Sequence, residues 1–204
     1  MDTKKHNFRV MRCVNSLAAC AVAMAFSLMP AFGAAQRAFT SMVSSSKYVK
    51  GSLCVRQDQV AFSCSLAKNG KTVSVCAIGS KSPHAFYYVF GRPGDIEMHY
   101  PSDPSALNNN DFSRTFLSYS QGMAGYAYSF VNYGIKYIIY TISGKFGYER
   151  AGVIVQKIGS LHAMTDMRCG KGSFRDTSDN SLISETLKMK SDDGLNVHGL
   201  PLTK

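Results

Sequence analysis

Asp95 and Glu97 stand two apart in a run that alternates like a strand, so their carboxylates share a face about 7 Å apart. Paired carboxylates can run glycoside hydrolysis, one as acid and the other as base or nucleophile. The histidines beyond the amino-terminal segment, His84, His99, His162 and His198, have no neighbour at metal-ligand spacing. Gly-x-Ser-x-Gly, His-Glu-x-x-His and Gly-x-x-x-x-Gly-Lys-Ser/Thr do not occur. Carboxylates beside a turn are more often solvent-facing charges than a catalytic pair. Isolated strand histidines are more often surface residues than bases. The expectation is a protein that is not an enzyme and needs neither metal nor cofactor.

Cross-linking is the chemistry the cysteines suggest. Past residue 35 there are four, Cys54, Cys64, Cys76 and Cys169, with no Cys-x-x-Cys spacing. An even number fits two disulfides in an oxidising compartment, and oxidised cysteines leave no thiol nucleophile. The amino-terminal segment points to the same compartment. Lys4, Lys5, Arg9 and Arg12 precede an apolar stretch at 14–32 that ends in Gly33, Ala34 and Ala35. This is the layout of a secretory signal peptide over 1–35, cleaved after Gly33 or Ala35. No later run approaches the ~20 apolar residues of a spanning helix, so no stable membrane insertion is expected after cleavage. Leu17-Ala18-Ala19-Cys20 resembles a lipoprotein box, but the most hydrophobic part follows Cys20, where a mature lipoprotein is normally polar. The expected location is periplasmic or secreted.

Removing residues 1–35 takes four of 23 Lys/Arg and one of 13 Asp/Glu, leaving a net charge of +7. The basic residues are scattered and never run five together, which favours a solvated basic surface and gives no reason to expect nucleic acid as a partner.

Residues 36–49 are small and polar, a flexible lead-in. From 50 to 175 short runs of Val, Ile, Tyr and Phe alternate with turn residues, which marks an antiparallel β domain. Hairpins are expected at 61–66 with 72–76, 85–90 with 95–100, 125–131 with 135–142, and 151–158 with 161–169. Asn69-Gly70, Pro93-Gly94 and Gly159-Ser160 supply turn chemistry. The run at 135–142 is largely apolar and is expected to be central. About eight strands in consecutive hairpins close most simply into a small all-β barrel or curled sheet. Within 176–204, residues 181–190 have helical spacing, and the tail after Asp192 is expected to be irregular. The prolines and asparagines at 101–110 form a long loop, a candidate for binding.

With Asn69 and Gly70 alone in the first turn, Cys64 faces Val75 and Cys76 points to the opposite side of the sheet. That disfavours Cys64–Cys76. The remaining choices are Cys54–Cys64 with Cys76–Cys169, or Cys54–Cys76 with Cys64–Cys169. Matching parity across the turn at 57–59 leans toward the first.

The set Phe62-Ser63-Cys64, Lys68-Asn69-Gly70-Lys71, Val73-Ser74-Val75-Cys76 and Tyr88-x-Phe90-Gly91-x-x-Gly94-x-x-Glu97-x-x-Tyr100-Pro101 resembles a group of uncharacterised secreted proteins of Gram-negative bacteria. Gly152-Val153-x-Val155, Leu195-Asn196 and Gly199-Leu200-Pro201 fit the same group. The resemblance implies export and no particular activity. Where those proteins tend to have a cysteine before an acidic pair, this chain has Ser191-Asp192-Asp193. The architecture is also loosely similar to periplasmic lysozyme inhibitors, small disulfide-bonded barrels. Inhibitors of the membrane-bound C-type class insert a Ser-Gly-x-x-Tyr loop into the enzyme cleft; here Ser143-Gly144-Lys145-Phe146-Gly147-Tyr148 places the tyrosine one position later.

Seven tyrosines between 119 and 148 are expected mainly as strand residues on the wall of the fold. The expected function is a non-catalytic exported binding protein that occludes a partner protein, such as a cell-wall-degrading enzyme. Its expected contacts are Lys145, Phe146, Tyr148, Glu149 and Arg150, with Arg92 on the proline-glycine turn. The competing classes are an envelope glycan or peptidoglycan hydrolase using Asp95 and Glu97 or a histidine, and a structural envelope component.

Overall fold

A computed structural model of the protein describes residues 47–79, 85–103 and 111–203. The expected signal peptide at 1–35, most of the expected lead-in, His84 and most of the 101–110 loop lie outside these residues. The hairpins expected from the sequence all form. β1 (Gln59–Ser65), β2 (Thr72–Ala77), β3 (Phe86–Arg92) and β4 (Asp95–Tyr100) make one meander, and β10 (Arg175–Asp176) adds to the free side of β1. β5 (Ser113–Tyr119), β6 (Met123–Asn132), β7 (Ile135–Ser143), β8 (Glu149–Lys157) and β9 (Ala163–Arg168) make a second.

The two five-stranded sheets do not close into a barrel. A polar-skinned barrel cannot accommodate strands that are apolar on both faces. β7, central in its sheet as expected, is such a strand. Ile139 belongs to the core between the sheets, while Ile138, Tyr140 and Ile142 belong to a separate apolar layer with Leu117, Ile154 and Leu195. Sheet one repeats the arrangement. Phe62, Val75 and Tyr88 enter the shared core, whereas Cys76, Tyr87 and Val89 pack with Leu53 and Cys54 on the outer face. The result is a face-to-face pair of sheets, each with its own outer cover. Phe130 joins them at the centre, stacked on Tyr100 at 4.2 Å and on Tyr137 at 5.0 Å.

The first turn is longer than Asn69-Gly70 alone. Cys64 pairs with Val73 and Ser65 with Thr72, while the Leu66 amide donates to the Lys71 carbonyl at 2.7 Å. Residues 67–70 therefore form the turn, with Gly70 at φ +65°. The shift from the expected pairing is two residues, so side-chain parity survives and Cys64 and Cys76 still face opposite ways.

The disulfides are Cys54–Cys76 and Cys64–Cys169, which corrects the pairing that the sequence favoured. Parity across 57–59 would count only if the chain before it ran as a strand beside β1. Residues 47–56 instead cross the outer face of sheet one as an arm. The Leu53 amide donates to Ser74 Oγ at 2.9 Å, and Ser63 Oγ donates to the Gly51 carbonyl at 3.0 Å. Cys54 thereby meets Cys76 on the outer face, and Cys64 is left to bridge toward Cys169 after β9. Two disulfides, three of whose four cysteines are buried, fit an oxidising setting. Among the described residues no helix is long and apolar enough to cross a membrane.

α1 (Asn180–Leu187) falls where helical spacing placed a helix, with Asp179 accepting from the Ser181 and Leu182 amides and Leu182 buried between the sheets. The tail is not irregular throughout: α2 (Asp193–His198) follows, and its Leu195 covers the outer layer of sheet two. Asp192 is the reason. It caps the Leu195 amide at 3.1 Å, accepts from Ser129 Oγ at 2.8 Å, and receives Lys136 Nζ at 2.7 Å. Burial pushes this carboxyl up, but the bonds from Lys136, Ser129 and the Leu195 amide outweigh it and hold it below the usual carboxylate range. A depressed folded-state value means stability that is present above the ordinary carboxylate range and lost as pH falls through the depressed value. Asp192→Asn keeps a side chain that caps equally well but loses the charge facing Lys136. It is therefore expected to flatten that acid limb and to cost about 1 kcal/mol at neutral pH, read from urea midpoints between neutral pH and about pH 3. A variant whose midpoint follows the parent at every pH would refute this.

Candidate functional site

The loop between β7 and β8 is built as a tight, closed turn. Past Ser143, Gly144 is extended and Lys145–Tyr148 closes as a four-residue turn whose two central residues, Phe146 and Gly147, have positive φ. The Gly144 amide donates to the Tyr148 carbonyl at 2.9 Å, and the Tyr148 amide donates to the Lys145 carbonyl at 3.2 Å. Phe146 sits at φ 60° in the left-handed region, which bulky residues seldom adopt. Phe146 is fully exposed, and Tyr148 is 44% exposed. A phenylalanine left in water forgoes about 2 kcal/mol of burial, and its backbone position costs about 1 kcal/mol more. Neither helps the fold.

Lys145 and Glu149 are also exposed. Arg150 is not a free contact group. Its Nε donates to Tyr140 Oη at 3.1 Å and its Nη2 to Asp166 Oδ2 at 3.0 Å. Tyr140 Oη donates to Asp166 Oδ1 at 2.9 Å, and Arg168 Nε donates to Asp166 Oδ2 at 2.9 Å. Burial, with the nearby Asp166 carboxylate adding to it, pushes the Tyr140 phenol up to about 12. Burial also works against the charge on Arg150, but its bond to Tyr140 and the charge on Asp166 outweigh it and raise its value. Arg150 is therefore a positioning residue that fixes the first turn of β8. Beside it lies a recess of about 480 Å³ bordered by Tyr148, Glu149, Arg168, Lys171 and Phe174.

Arg92 does not join this site. Its Nη2 donates to the Asn69 carbonyl at 2.6 Å, tying the β3–β4 turn to the β1–β2 turn. The carboxylate pair is also taken apart. β4 is irregular between Ile96 and Met98, so strand alternation does not hold Asp95 and Glu97 to one face, and Glu97 Oε2 accepts from Lys71 Nζ at 2.7 Å. His99 stacks on Tyr87 at 5.0 Å with its Nδ1 2.7 Å from the Pro101 carbonyl, while Tyr87 Oη donates to Asp58 at 2.8 Å. Among the described residues no three His, Cys, Asp or Glu converge on a metal position. Tyr128 and Tyr140 are buried as strand residues, and Tyr133 and Tyr148 are the exposed tyrosines of the 119–148 run.

Comparison with protein-family models, with curated proteins and with solved structures gives no match to this chain.

Proposed function

We propose that this is an exported, non-catalytic binding protein that presents the 143–150 loop to a partner protein and acts by occluding it. The observation that carries the reading is Phe146, fully exposed at the tip of a closed and strained turn. Tyr148 and Lys145 flank it, and Arg150 anchors the base through Asp166. Without a closed barrel, the likeness to lysozyme inhibitors rests on the loop alone. That loop still singles out a cell-wall-degrading enzyme as the first partner to test, because an aromatic tip on a narrow turn suits a glycan cleft. A hydrolase reading has less behind it, since Glu97 is engaged by Lys71.

The test is inhibition of, and binding to, a panel of peptidoglycan-cleaving enzymes by the oxidised protein. Phe146→Ala is expected to weaken the interaction by about 2 kcal/mol or more and to leave the melting temperature unchanged or slightly higher. Absence of binding across the panel, or a Phe146→Ala protein that binds like the parent, would remove the loop from the account.

A further inference from the structure

The outer face of sheet one carries a set of cations that the loop reading does not use. The arm at 47–56 contributes Lys47, Lys50 and Arg56, all exposed. Arg175 reaches across from β10, donating from Nη1 to the Lys50 carbonyl at 2.8 Å. Its guanidinium lies so near Gly51 that a Cβ there would stand 3.1 Å from it. The arm itself is fixed by Cys54–Cys76 and by bonds to Ser63 and Ser74.

Lys71, Lys136, Arg150, Arg168 and Lys188 all have carboxylate partners within 3.0 Å. Among the described residues, no ion pair is formed by Lys47, Lys50, Arg56 or Arg175. A shallow recess of about 620 Å³ lies between the arm and Pro93, and Tyr48, Lys50, Ser52 and Arg56 border it with no acidic residue. A neighbouring hollow exposes parts of Ile78 and Ile96 beside Tyr48 and Lys47. Of the nearby acids, Asp58 accepts from Tyr87 and from the Gly79 amide, and Asp95 is exposed at the start of β4, two residues after Pro93.

Cations spread across a surface, rather than converging on one point, match a partner with repeating negative charge. Apolar side chains among them suit the boundary between headgroups and acyl chains. We propose that this face binds an anionic lipid surface, with Lys50, Arg56, Lys47 and Arg175 meeting the headgroup phosphates. The assignment stands on this face and does not depend on the partner of the 143–150 loop.

The experiment is co-sedimentation of the oxidised protein with vesicles of phosphatidylglycerol and phosphatidylcholine, against vesicles of phosphatidylcholine alone. Retention on the anionic vesicles is expected, weakening as salt rises above about 0.1 M. Each neutralised cation should weaken binding about fivefold, so Lys50→Gln with Arg56→Gln is expected to lose at least tenfold while the circular dichroism spectrum stays the same. Phe146→Ala should bind these vesicles like the parent. Equal retention on neutral vesicles, or unchanged binding by the double variant, would overturn the proposal. Binding to polyglutamate as tight as to the anionic vesicles would also overturn it, by assigning the face to an acidic polypeptide.

Discussion

Replacing Cys64 and Cys169 together by alanine is expected to lower the free energy of unfolding by about 4.7 kcal/mol. The bond closes a loop of 105 residues, and a long loop removes the most freedom from the unfolded chain. It also joins the two sheets, whose other tie at that level is main-chain bonding. The Ala67 amide donates to the Arg168 carbonyl at 2.9 Å, and the Gly170 amide to the Ser65 carbonyl at 2.7 Å. Removing Cys54 and Cys76 opens a loop of only 22 residues and should cost about 3.4 kcal/mol. Urea titration of the two double variants checks both the size and the order. If the Cys54/Cys76 variant proves the less stable of the two, the bond between the sheets is not the main staple.

Asp166→Ala is expected to cost about 3 kcal/mol. Asp166 is 8% exposed and accepts from Arg150, Arg168 and Tyr140. Its loss leaves two guanidinium groups facing one another over a phenol with no acceptor. The estimate sits at the low end for a broken buried pair because the Arg168 side chain is 53% exposed and water relieves part of the repulsion. Asp166→Asn keeps one acceptor oxygen and should recover part of the loss. Because Arg150 is the second residue of the strand after the loop, amide exchange at 144–149 should quicken in Asp166→Ala more than in Asp166→Asn. Unchanged stability in the alanine variant would mean that the cluster contributes nothing to holding the loop.

The hairpins were legible because their signals are local. Asn69-Gly70 and Gly159-Ser160 flank runs of β-branched and aromatic residues, and each strand pair needs only its own turn. Even so, a four-residue turn in place of a two-residue one was invisible, since nothing local distinguishes a register shifted by two. β5 escaped because Ser113 and Thr115 are polar on the face they bury, and β10 because it is two residues long. The mistaken barrel came from treating the sheets as apolar on one face only. The row Ile138, Tyr140, Ile142 on β7 was in plain view, but what covers it, Leu195 of α2, comes more than fifty residues later. The segment at 143–150 is legible as a turn, yet the role of Arg150 depends on Asp166, 16 residues later on the next strand. That contact follows only from the joint register of β7, β8 and β9.

The two sulfur bridges cross in sequence order, neither joining neighbouring cysteines. In a chain made from its amino end, Cys54, Cys64 and Cys76 are all present long before Cys169, which trails Cys64 by 105 residues. An oxidant acting on cysteines in order of appearance would join Cys54 to Cys64 and trap an incorrect isomer. Such a Cys54–Cys64 bond would have to be exchanged before the two native pairs could form.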